Sequence, residues 1–125
     1  MVKKILVVDD EKDMVAVLSQ RLKGAGYEVT SASDGEEALK AVKKERFDLI
    51  LLDIIMPVMD GTQFAQILRE NPKTKNIPIL FITALATKQK DAGYVITESN
   101  IIFAKPFESK ELLGKIDELV NELRD

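Results

Sequence analysis

Five side chains that could act together stand at the ends of apolar runs. Asp9 and Asp10 follow KKILVV (3–8), and Asp53 closes DLILLD (48–53). Thr83 closes IPILFIT (77–83), and Lys105 follows NIIFA (100–104). Like charges packed together repel, so the run ILVVDDE (5–11) demands something that offsets the repulsion. The 125 residues include no histidine and no cysteine, which removes the softer metal ligands. Carboxylate oxygens alone suit a hard divalent cation such as Mg²⁺, and the lysine ammonium offsets the remaining charge. Without His or Cys, thiol catalysis, disulfides, a histidine base and a phosphohistidine carried by this chain are also excluded.

Each of the five also has a plain structural role open to it. Asp9 or Asp10 can cap the helix that follows. Asp53 can open a turn, although an acid ending a wholly apolar strand is poorly explained that way. Threonine is common in strands, and a single lysine is ordinary surface. The signal is the set, one group at the same end of each of several strands.

The elements that must position this set alternate in type. KKILVV is a buried strand. Met14, Val17, Leu18 and Leu22 line one face of a helix that Gly24 or Gly26 stops. YEVTSA (27–32) has the polar alternation of an edge strand. Asp34 caps a second helix, with Glu37 at capping-box spacing, and Ala38, Leu39, Ala41 and Val42 face inward. DLILLD is the most apolar strand and is expected at the centre of the sheet. Phe64, Ile67 and Leu68 share a face of a third helix, and IPILFIT and NIIFA are the fourth and fifth strands. Ser109 is placed to cap a last helix. Alternation of this kind predicts a single α/β domain whose parallel sheet is covered on both faces. Residues 86–100 fit least well: the topology asks for a helix, but Gly93, Val95, Ile96 and Thr97 are poor helix formers. In such sheets ligands bind beyond the carboxyl ends of the strands, where the strand order reverses. All five groups fall on that rim.

The net charge of −3 is not the footprint of a nucleic-acid binder, and the apolar runs are too short to span a bilayer. With no signal-peptide pattern at the start, a cytoplasmic location is expected, with no direct nucleic-acid or membrane partner.

The stretches ILVVDDE, LILLDIIMPVMDG, ILFITA and AKPF, in this order, resemble the receiver domains of bacterial two-component response regulators, the stand-alone chemotaxis type included. The resemblance runs over essentially the whole chain, so residues 1–125 are expected to form one receiver domain. It implies a doubly wound, flavodoxin-like sheet of five parallel strands in the order 2-1-3-4-5. It further implies that Asp53 accepts a phosphoryl group from a histidine kinase or phosphotransfer protein. Asp10, Asp53 and the backbone carbonyl of Ile55 would bind Mg²⁺ directly, and Asp9 would act through a coordinated water. Thr83 and Lys105 would hold phosphoryl oxygens, with Lys105–Pro106 in cis. The phosphorylated state would alter binding to a downstream protein. Such a domain catalyses only its own phosphorylation and slow dephosphorylation, and is not otherwise an enzyme. An aspartate nucleophile fits this chemistry, because a carboxylate is already ionised at neutral pH.

Three departures from the family pattern carry expectations. The switch aromatic usually lies three positions before the lysine; Ile102 stands there, and Phe103 is one step off, which in a strand is the opposite face. A muted aromatic switch is therefore expected. TESN (97–100) replaces the usual Gly-Ala turn, so the preceding helix is expected to be short, shifted or mobile. Ile55 and Leu85 are apolar where polar side chains would tune the phosphoryl lifetime, which predicts slow self-dephosphorylation. Two other readings compete. A haloacid-dehalogenase-type aspartyl-phosphate phosphatase would need Asp-x-Asp-x-Thr, whereas Asp9 is followed by Asp10-Glu11 and no threonine. A flavin-binding module would need a Ser/Thr/Gly-rich phosphate loop in place of the acids.

Overall fold

The computed structural model describes residues 2–53, 61–83, 94–96, 101–104 and 109–122. At 61–62, 83, 94–96, 101–104, 109 and 122 the description covers the backbone alone. In chain order the elements are β1 (Lys4–Val8), α1 (Lys12–Gly24), β2 (Glu28–Ala32), α2 (Gly35–Lys44), β3 (Leu49–Asp53), α3 (Gly61–Glu70), β4 (Ile79–Thr83), β5 (Tyr94–Ile96), β6 (Ile101–Ala104) and α4 (Ser109–Glu122).

The sheet order is β2-β1-β3-β4-β6-β5. The pairs β1–β2, β1–β3, β3–β4 and β4–β6 are all parallel. These are the five parallel strands expected from the sequence, and the order reverses between β1 and β3. One element corrects that expectation. Within the span that the topology assigned to a helix, Tyr94–Ile96 forms a short sixth strand, antiparallel to β6 at the sheet edge. Its β-branched Val95 and Ile96 favour extended backbone.

Strand alternation divides the core into two layers. Ile5, Val7, Leu49, Leu51, Leu80 and Ile82 pack with Leu18 and Leu22 of α1 and Leu112, Ile116 and Val120 of α4. Leu6, Val8, Ile50, Leu52, Ile79 and Phe81 face the other way, against Ala38 of α2 and Phe64 and Leu68 of α3. β3 is buried at all five positions, as its composition predicts, and β2 lies at an edge.

The helix ends are set locally. Asp34 accepts a hydrogen bond from the Glu37 N–H at 2.9 Å, and Glu37 accepts one from the Ser33 N–H at 2.9 Å. The Asp34 cap expected for α2 is formed, while Glu37 reaches one residue past it, to the Ser33 N–H rather than to the Asp34 N–H of a capping box. At the end of α1, Gly26 has φ 98°, a left-handed conformation that costs glycine little. The Tyr27 N–H then reaches back to the Leu22 carbonyl at 3.1 Å. Two expected inward residues face out: Val17 is 50% exposed and Ile67 is 39% exposed. Met14, Leu18 and Leu22 recur every fourth residue and form the buried stripe of α1, and Val17 falls about 100° off it.

Candidate functional site

β1 ends at Val8, which is registered with Leu52 of β3. The next residue along each strand is therefore an acid, Asp9 beside Asp53. The Asp9 N–H donates to the Ala32 carbonyl at 3.1 Å, which extends the β1–β2 ladder one step and holds the backbone of Asp9. Asp9 is 1% exposed and Asp53 4%, whereas Asp10 is exposed. Carboxylate oxygens of the three lie within 4.8 Å of one another. The sheet thus brings together the three acids singled out from the sequence.

Neither Asp9 nor Asp10 caps α1 in the usual sense. The N-cap is Glu11, whose side chain makes no capping hydrogen bond. Instead Asp9 Oδ1 accepts from the Glu11 N–H at 3.0 Å, which aims its carboxylate. Sequence reasoning missed this orienting group, because a backbone donor leaves no trace in residue type. The N-terminus of α1, at Lys12, adds a fixed partial positive charge next to the acids, typically worth about 0.3–1 kcal/mol to a nearby anion.

The donor set is all oxygen, two of its carboxylates are buried, and no histidine or cysteine competes. It fits a hard divalent cation and suits neither zinc nor copper. Three carboxylates this close are also hard to accommodate without positive charge.

β4 carries the next group. Asp53 is registered with Ile82, so Thr83 stands one step further along the same rim. Thr83 is registered in turn with Ala104, the residue before Lys105. The Thr83 side chain, Lys105 with the Lys105–Pro106 bond, Ile55, Leu85 and residues 97–100 lie outside the described residues, as do the side chains of Ile102 and Phe103.

Residues 5–117 match the family model of the response regulator receiver domain. Among curated proteins, the alkaline phosphatase synthesis transcriptional regulatory protein PhoP of Bacillus subtilis (strain 168) is 39% identical over 114 residues, covering 91% of this chain and 47% of PhoP. The chain spans about half the length of the curated relatives it matches. Among solved structures, the chemotaxis response regulator CheY4 of Vibrio cholerae is 34% identical with a TM-score of 0.81, covering 95% of this chain and 99% of that one. The response regulator TrrA of Thermotoga maritima, solved in complex with Mg(2+)-BeF, is 35% identical with a TM-score of 0.78, covering 94% and 99%. These matches give no support to the phosphatase reading. Among the described residues, no helix is long and apolar enough to cross a membrane.

Proposed function

Because the chain belongs to the response regulator receiver domain family of two-component systems, we propose that Asp53 is its phospho-acceptor and that residues 1–125 work as one receiver domain. The observation that carries this reading is the convergence of Asp9, Asp10 and Asp53 on the rim where the strand order reverses. An Asp53 carboxylate oxygen attacks the phosphorus of a phosphohistidine on a partner histidine kinase or phosphotransfer protein. The new O–P bond forms as the N–P bond breaks, and the departing imidazole nitrogen takes the electron pair and then a proton.

Phosphoryl transfer asks mainly for positioning and for charge stabilisation around the transferring oxygens. Mg²⁺, when bound by Asp10, Asp53 and the Ile55 carbonyl with Asp9 acting through a water, supplies the positive charge that those oxygens and the acids require. Asp9, aimed by the Glu11 N–H, fixes the geometry of the acidic rim. Thr83 donates its hydroxyl to one phosphoryl oxygen, and the Lys105 ammonium pairs with another. The phosphorylated form then alters binding to a downstream protein, with no direct nucleic-acid contact by this domain.

Incubation with acetyl phosphate and Mg²⁺ tests the proposal. The expected result is a mass gain of one phosphoryl group that disappears in EDTA and in Asp53→Ala. Undiminished phosphorylation of Asp53→Ala would overturn the assignment.

A further inference from the structure

At the opposite end of the sheet from the acids, a furrow runs between the last turns of α2 and the 71–77 turn that links α3 to β4. Three adjoining hollows, all lined by Lys73, make it up, and one of them alone measures about 420 Å³. Its rim carries Lys43, Lys44, Arg46 and Lys73, four exposed cations on a chain whose net charge is −3. The acids that also line it are engaged elsewhere. Glu45 pairs with the Lys4 ammonium at 3.5 Å, and Asp48 accepts from the Lys4 N–H at 2.8 Å. Between the cations the wall is aliphatic, with Val42 half-buried and Ile67 39% exposed.

The wall is also held in shape. Thr74 is buried, and its hydroxyl donates to the Leu68 carbonyl at 2.7 Å. Arg69, itself exposed, lies over the turn, and its Nη1 donates to the Lys75 and Ile77 carbonyls at 2.8 and 2.9 Å. Loop backbone tied down in this way loses little freedom on binding, which favours recognition.

We propose that this furrow docks an acidic peptide segment of a partner protein, with an aliphatic side chain of that segment seated against Ile67 and Val42. Charge complementarity selects an acidic occupant. The aliphatic wall favours a peptide over a nucleic acid, whose phosphates would make no use of it. Concavity disfavours a membrane surface. Since the furrow lies at the end of the sheet opposite the acidic rim, occupancy leaves Asp53 accessible to its phosphodonor.

The test uses the full chain and a fluorescein-labelled peptide of Asp and Glu residues flanking one leucine, read by fluorescence anisotropy at low salt. Saturable binding is expected. Lys43→Glu with Lys73→Glu should weaken it at least about tenfold, and the milder Lys43→Gln with Lys73→Gln should weaken it by less. Ile67→Ser, or a peptide with serine in place of leucine, should also weaken it, while Asp53→Asn should not. Amide shifts on titration should cluster at residues 39–48 and 67–77. Absence of saturable binding, indifference to the charge reversals, or equal binding of a DNA oligomer or anionic vesicles would each overturn the proposal.

Discussion

Replacing Asp53 with asparagine should make the protein more stable in the absence of divalent ions. The oxygens of Asp9, Asp10 and Asp53 lie within 4.8 Å of one another. At an effective dielectric of about 20, two unit charges at that distance repel by about 3.5 kcal/mol. Asp10 is exposed and screened, so the Asp9–Asp53 pair, at 1% and 4% exposure, carries most of the repulsion. Asparagine keeps the shape and one carbonyl acceptor but removes the charge and its desolvation cost. Polar contacts that the carboxylate makes are weakened at the same time, which leaves an expected net gain of about 1–3 kcal/mol. For a chain of this length, 1 kcal/mol moves the melting temperature by about 4 °C.

Thermal unfolding followed by circular dichroism, in EDTA and then in millimolar Mg²⁺, measures both halves of the argument. In EDTA, Asp53→Asn should melt about 4–12 °C above the parent. Added Mg²⁺ should raise the parent through preferential binding to the folded state and leave the variant nearly unmoved. An Asp53→Asn protein no more stable than the parent in EDTA would refute the claim that repulsion outweighs the favourable contacts at the rim. Equal Mg²⁺ stabilisation of both proteins would refute the assignment of Asp53 as a ligand.

Leu22→Ala should cost about 2–5 kcal/mol in urea unfolding, because Leu22 is fully buried, whereas Val17→Ser on the same helix should cost under about 0.5 kcal/mol. Asp34→Ala removes the acceptor of the Glu37 N–H and should cost about 1 kcal/mol by the same measurement. Partial burial, and then the Asp117 carboxylate beside it, push the Tyr27 hydroxyl from 10.0 up to about 12. Its contribution is therefore full below pH 10.0 and lost as the pH rises to about 12, a base-induced loss that Tyr27→Phe should lack in pH-dependent melting curves. The phosphorylated form should decay slowly without a phosphatase, and polar side chains in place of Ile55 and Leu85 should shorten its half-life in an intact-mass time course.

The alternation of apolar runs with helical stripes made β1 to β4, α1 to α4 and the last parallel strand legible, because period two and period 3.6 leave different traces. The acids were legible for a related reason: a carboxylate directly after a fully apolar run has few structural excuses. Val17 and Ile67 were misplaced because an apolar residue on the flank of a stripe resembles one at its centre. The Tyr94–Ile96 strand ran against the topology's demand for a helix, although its β-branched residues pointed to extended backbone. How Asp9 is aimed could not be read, since its partner is the backbone of Glu11. The furrow escaped notice for a different reason. Lys43, Lys44 and Arg46 read as an ordinary solvated helix end until the turn at Lys73 closes on them from nearly thirty residues away.

The placement of the acids follows from where the chain goes next. After β1 it enters α1, which packs on the face shared with α4. The next helix after β3 is α3, on the opposite face with α2. Since β1 and β3 are hydrogen-bonded neighbours, the helices that follow them lie on opposite faces, the arrangement that in open α/β sheets leaves a crevice beyond the strand ends. Asp9 and Asp53 are buried at these strand ends and Asp10 is exposed, so the proposed ion and phosphoryl donor would reach the set from the side of Asp10. Helices leading from both strands to a single face would roof the acids over, and the repulsion would remain with nothing able to enter and offset it.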